Sequence, residues 1–132
     1  MERWPELWNS DIRQIETLVA DEVVLHAAPI GQLTQAPMVG RETLRDWITS
    51  MRAMLPTILF SIKIGLLYDG DMVVIRWRAQ GQHGTARMDF TGTDILRICD
   101  GIIAVYWLNA DTLRMLQQAG MTNALTAGLS RP

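Results

Sequence analysis

Cysteine is almost missing from this 132-residue chain: Cys99 is the only one, so no internal disulfide can form. With no CxxC pair and no cluster of His and Cys, no zinc site is expected either. The expectation is a cytosolic protein without a metal or cofactor. Charge is also sparse. Charged residues make up 20% and the net charge is -2, which gives no electrostatic case for nucleic acid or an anionic membrane as partner. No apolar run approaches the roughly 18 residues of a membrane span, and the start MERWPELW lacks the basic-then-apolar layout of an export signal. GxGxxG, P-loop, GxSxG and HExxH patterns are all missing, which disfavours nucleotide cofactors, serine nucleophiles and zinc proteolysis. Cys99 has no base linked to it in sequence, which argues against thiol catalysis. Lys63, the single lysine among twelve basic residues, carries no functional weight. What chemistry remains is cofactor-free proton transfer.

Apolar residues, by contrast, are plentiful at 48%, and the length suits one domain over 1–132 with a real core. Trp4, Leu7 and Trp8 recur at helical spacing. Ile12, Ile15, Leu18 and Val19 follow the cluster Asn9-Ser10-Asp11, which suits a helix cap. The two segments predict a helical hairpin or kinked pair. Val23-Val24-Leu25-His26 reads as a short strand, and 27–39, with Pro29, Gly31 and Pro37, as an irregular loop that could cover a pocket. Leu44, Trp47, Ile48, Met51 and Leu55 then mark a third helix closed by Pro56. From Thr57 the pattern turns to strands: 58–67, a turn at Asp69-Gly70-Asp71, 72–80, a Gly-rich link over 81–84, and two strands joined by Asp100-Gly101. That dipeptide readily takes positive φ and is a strong hairpin turn. Asp111 should cap a last helix through Leu113, Met115 and Leu116, with 121–132 a weakly patterned tail. Helices first and an antiparallel meander after indicate an α+β fold, the helices covering one sheet face.

Within the hairpin FTGTDILRICDGIIAVYWLNAD, Asp94 is an acid set inside an apolar strand, where an unpaired charge is costly. Near Leu96, Leu108, Tyr106 and Trp77 its carboxyl should lose hydration and titrate higher, as suits a general acid or base. The same carboxylate would equally serve a structural network with an arginine or backbone amides. His26, at the strand end beside the expected loop, could share a proton with a bound hydroxyl or carbonyl, or be a satisfied structural histidine. Tyr106 could donate to a ligand oxygen or sit in the core; Trp77 could stack a ring or simply fill space. His83, between glycines, is expected to be exposed, and Arg76 and Arg78 to point away from the interior.

The segments LWNSDIRQIETLVADEVVLH, VGRE at 39–42, DGDMVVIRWRAQGQHG and GTDILRICDGIIAVYWLNAD with LRMLQQAG behind it resemble the SnoaL-like polyketide cyclases of the nuclear transport factor 2-like superfamily. The resemblance implies a cone-shaped, cystatin-like α+β barrel with a curved antiparallel sheet, a small hydrophobic ligand inside the cone, and a homodimer formed through the outer sheet face. It also implies acid/base chemistry of the aldol cyclisation, isomerisation or dehydration kind, or a non-catalytic binding role. The cyclases' general acid/base lies two residues past Tyr106, which is Leu108 here, a side chain that cannot exchange a proton. Asp94 matches a position where the cyclases can carry a second pocket group, a histidine. Asp94, His26 and Tyr106 are thus the catalytic candidates, with Trp77, Leu96 and Leu108 lining the substrate. Epoxide hydrolases of the superfamily place an inward arginine and acid where Trp77 and Ala79 stand, so their triad is missing.

Overall fold

The structure, a computed structural model, describes residues 3–9, 11–27 and 37–120. Helix α1 (Trp4–Asn9) buries Trp4, Leu7 and Trp8, the one face that its apolar spacing offers. The segment after it is shorter than its periodicity suggested. Asp11 caps a single 3-10 turn, Ile12–Gln14, by accepting from the Arg13 N–H, and α2 covers only Ile15–Leu18. Val19 already opens strand β1 (Val19–Ala27), so the sheet claims a residue that fitted the helical stripe. A two-residue strand, β2 (Met38–Val39), precedes α3 (Arg41–Met54). Residues 28–36, the greater part of the expected covering loop, and the tail 121–132 lie outside the described residues.

Four long strands follow: β3 (Leu59–Asp69), β4 (Met72–His83), β5 (Ala86–Cys99) and β6 (Ile102–Ala110). The link expected over 81–84 is mostly strand. Gly81, Gln82 and His83 stay in β4 because they pair with Met88, Arg87 and Ala86 of β5; a Cβ at Gly81 would lie 2.6 Å from the Thr57 carbonyl, and the reversal falls at Gly84, where φ is 63°. The Asp100-Gly101 turn has both residues at positive φ, 53° and 82°, as a type I′ hairpin requires. Helix α4 (Thr112–Gln118) starts at Asp111, whose carboxylate accepts from the Arg114 N–H and whose helix buries Met115 and Leu116.

The strands form one curved, unclosed sheet in the order β2-β1-β6-β5-β4-β3. β3 to β6 are the expected antiparallel meander, while β1 docks parallel to β6. This parallel step carries the amino-terminal helices onto the concave face. There Trp4, Leu7, Ile15, Leu44 and Ile48 pack against Val73, Ile75, Leu96 and Tyr106 in the main core. The outer face keeps the other half of each strand, Arg76 and Arg78 included.

Candidate functional site

Rows of inward residues run across the concave face. Ile75 on β4 pairs with Asp94 on β5, and Asp94 with Leu108 on β6. The next row on one side is Trp77, Gly92 and Ala110; on the other it is Val73, Leu96 and Tyr106. Trp77 and Tyr106 are therefore diagonal neighbours of Asp94, a relation long aromatic side chains can bridge. Both do. Trp77 Nε1 donates to Asp94 Oδ1 at 3.0 Å, and the Tyr106 hydroxyl donates to the same oxygen at 3.0 Å. The third donor descends from α1: Trp4 Nε1 reaches Asp94 Oδ2 at 2.8 Å, and its ring meets Tyr106 edge-to-face at 5.0 Å.

Asp94 is the one buried charged side chain among the described residues, 3% exposed. Burial pushes its carboxyl up to about 6, and the bonds from Trp4, Trp77 and Tyr106 pull the other way. The Tyr106 hydroxyl is held well above its usual range by burial and by the charge of Asp94, so it stays a donor. A carboxylate offers about four acceptor positions. Three are used here, and the remaining one is on Oδ2, the oxygen that only Trp4 occupies.

Asp94, Trp77, Tyr106 and Leu108 line a common cavity with Trp4 and Trp8. Its volume is about 80 Å3, several times the roughly 10–15 Å3 that one water requires on the same measure. Met51 and Arg52 of α3 and Phe60 of β3 also border it. Ala79, like Trp77, faces inward and is fully buried, while Arg76 and Arg78 are held on the outer face by Thr91 and Thr93 and by Asp89. The acid and arginine of an epoxide hydrolase thus have no counterpart on this strand.

Two expected site residues stand elsewhere. His26 does not face the cavity: on β1 the inward positions are Leu25 and Ala27, and strand alternation turns His26 to the outer face. There its ring stacks on Trp107 at 5.6 Å and 9°. Leu96 is wholly buried beside Tyr106 in the core and does not border the cavity. Plain alternation from Tyr106 and Leu108 would turn Ala104 inward, but the ladder passes from Val105 to Ile103 and skips it. This bulge gives the buried place to Ile103. His83 is half-buried, its Nδ1–H donating to the Met54 carbonyl at 2.8 Å.

Trp4, Trp8 and Gly92 are site residues that the sequence reading missed. A Cβ on Gly92 would lie 2.2 Å from the Trp77 ring, so this glycine makes the space that lets Trp77 lie flat toward Asp94. A small residue facing a tryptophan two places before a buried acid was the available signal. For Trp4 it was two tryptophans four residues apart, each with an N–H to satisfy, in a chain with one acid in an apolar strand.

No group of three or more His, Cys, Asp or Glu able to hold a metal converges among the described residues, and no described helix is long and apolar enough to cross a membrane. Residues 1–106 match the model of the SnoaL-like domain. No curated protein matches the sequence. Among solved structures, a provisionally assigned polyketide cyclase of Bacillus cereus ATCC 10987 superposes with a TM-score of 0.78 at 30% identity, over 90% of this chain and 76% of that one. IdmH, a provisionally assigned polyketide cyclase of Streptomyces antibioticus, gives 0.75 at 24% identity, over 88% and 92%. A Catenulispora acidiphila DSM 44928 protein with a ketosteroid isomerase-like fold, in complex with trimethylamine, gives 0.75 at 21%, over 91% of each. The last two speak to fold alone. On a family match over most of its length and a sheet and helix arrangement shared with these structures, the chain belongs to the SnoaL-like polyketide cyclase family of the nuclear transport factor 2-like superfamily.

Proposed function

We propose that this protein binds a small, largely apolar carbonyl compound in the cavity and moves a proton on it with Asp94, in an aldol cyclisation or isomerisation. The observation that carries this reading is a buried carboxyl with one acceptor position left over, at the wall of a cavity otherwise lined mainly by aromatic and aliphatic side chains. Leu108, where the cyclases have their acid, is the direct cross-strand partner of Asp94. Such partners have Cβ atoms about 4.5–5.5 Å apart, so a carboxyl on β5 reaches the space that one on β6 would occupy. On this reading the carboxyl acts from β5 in place of one on β6.

Asp94 Oδ2 takes the proton from the carbon beside the carbonyl, and the C–H electron pair passes into an enolate. In a cyclisation the enolate carbon attacks a second carbonyl, and the new alkoxide recovers the proton from Asp94. In an isomerisation the proton returns to another carbon. Either way the carboxylate is regenerated and no external reagent is consumed.

Exchange of α-hydrogen for deuterium on a simple ring ketone such as 1-indanone tests this without knowledge of the natural substrate. The protein should accelerate exchange in D2O, and Asp94→Asn should abolish the acceleration while ketone binding persists. Exchange unaffected by that substitution removes Asp94 from the chemistry. A second reading, a binding protein without turnover, is favoured by the three donors that already occupy Asp94; it expects binding without exchange in the unsubstituted protein.

We also propose a homodimer formed through the outer sheet face. It is supported by an outward row across the sheet, Leu67, Val74, Ile95, Trp107 and His26, each paired with the next. Leu59 and Ile64, 63% and 57% exposed, extend the apolar surface along β3.

A further inference from the structure

Three of the indole and phenol donors at the cavity, those of Trp4, Trp77 and Tyr106, are spent on Asp94. A fourth is not. Trp8 is 7% exposed and lines the cavity, yet its Nε1–H finds no acceptor among the described residues. A buried donor left unmade costs about 1–3 kcal/mol. The rings around it, Trp47 edge-to-face at 5.7 Å and Phe60 at 5.2 Å, offer only π faces and edges, a second-order substitute for an oxygen. Arg52 adds no acceptor, since its guanidinium donates to the Trp8 carbonyl.

Helix α1 brings this donor to the cavity that holds the acid. Trp4 and Trp8 stand four residues apart, on one helix face, with side-chain roots about 6 Å from each other. Trp4 is tied to Asp94 Oδ2 and Trp8 borders the same cavity from the next turn of the helix, so the unpaired donor and the oxygen with an acceptor position free share one cavity. A ketone in this cavity would need a contact of roughly 3 Å at each end, one from the N–H to its oxygen and one from its α-carbon to the carboxylate.

We infer that the Trp8 indole N–H receives the carbonyl oxygen of an enolisable, largely apolar ketone whose α-carbon faces Asp94. This rests on the reading of the cavity as a site of proton transfer and names the group that binds the other end of the reacting unit. As the α-proton moves to Asp94, the C–H pair forms the enolate double bond and the carbonyl pair moves to oxygen. Negative charge therefore develops against the Trp8 N–H, the place where a preorganised donor helps most.

The test pairs 1-indanone with indane, the same skeleton without the oxygen. On the unsubstituted protein labelled with 15N at its indoles, the ketone should move the Trp8 Nε1–H resonance and bind about tenfold tighter than the hydrocarbon. Indane should leave that resonance in place. Trp8→Phe should erase the ketone's advantage and lower the α-exchange kcat by about a hundredfold, with the pH midpoint of exchange, set by Asp94, unchanged. An unmoved Trp8 resonance, equal affinities for the two ligands, failure of the ketone to bind at millimolar concentration, or full exchange by Trp8→Phe would each overturn the inference. The paired-ligand measurement needs no substitution, so it decides even if Trp8→Phe does not fold. Asp94→Asn separates the two readings: it should abolish exchange yet keep the ketone-dependent Trp8 shift. Exchange persisting in that variant counts against Asp94, whereas loss of the shift in the unsubstituted protein counts against Trp8.

Discussion

A carboxyl that titrates near pH 6 in the folded protein and near 3.8 when freely hydrated ties stability to pH in a definite direction. Between those values the folded state keeps a proton that the unfolded chain has released. The contribution of Asp94 to stability is therefore complete below about pH 3.8 and lost as pH rises through about 6, a change of about 3 kcal/mol. Urea denaturation at a series of pH values should show the unsubstituted protein losing this increment relative to Asp94→Asn between pH 4 and 7. Parallel curves for the two would place Asp94 in an ordinary aqueous environment. Activity should run the opposite way. A base must be ionised, so α-exchange should rise through about pH 6, and Trp4→Phe, which removes a donor that favours the charged form, should move the midpoint upward. The presence of a perturbed acid was legible from sequence because Asp94 interrupts an apolar strand. That Trp77 and Tyr106 stand near it was legible too, but not that both donate to one of its oxygens. Trp77 and Tyr106 lie on neighbouring strands whose register fixes the diagonals, and register is set by long-range pairing.

At the level of elements, alternation along β4, β5 and β6 made most of the inward face readable, and it failed where the ladder changes step. The bulge at Ala104 is such a place, since an extra residue inverts the parity of everything before it. His26 shows the reverse case: nothing in VVLH says which half of the strand turns inward until the parallel pairing of β1 with β6 is known. Gly92 links the strand level to the site. Gly92→Ala places a methyl group against the Trp77 ring, so the indole must shift and its bond to Asp94 weaken. The expected cost is about 1–3 kcal/mol, read as a lower melting temperature, together with slower α-exchange. Combined with Trp77→Phe, the losses should fall well short of their sum, because the two substitutions act on one contact. Strict additivity would place Trp77 away from Gly92.

For the whole molecule, helix and strand periodicities gave the α+β class with helices over one sheet face, and the resemblance supplied the sheet's curvature. The parallel docking of β1 beside β6 has no local signature, because it joins the first strand to the last. The outer face of the sheet is where the proposed pairing of two copies can be tested. Light scattering should return about twice the 14.9 kDa chain mass, and Ile95→Glu with Leu67→Glu should halve it without affecting the melting of the fold. A 14.9 kDa particle from the unsubstituted protein at micromolar concentration would remove the proposal.

The bond between Trp4 and Asp94 joins residues separated by 90 positions, and α1 is a six-residue helix too short to persist unaided in water. During synthesis it must wait, unpaired, until β5 and β6 have been made and folded back. Closing so long a loop is among the slower events available to a domain of this size. Competence for proton transfer should thus arrive in one of the last folding steps, after most of the sheet is in place. In a stopped-flow refolding experiment, recovery of α-exchange should lag behind recovery of β-sheet signal, so the chain is folded in outline before it is an acid or a base.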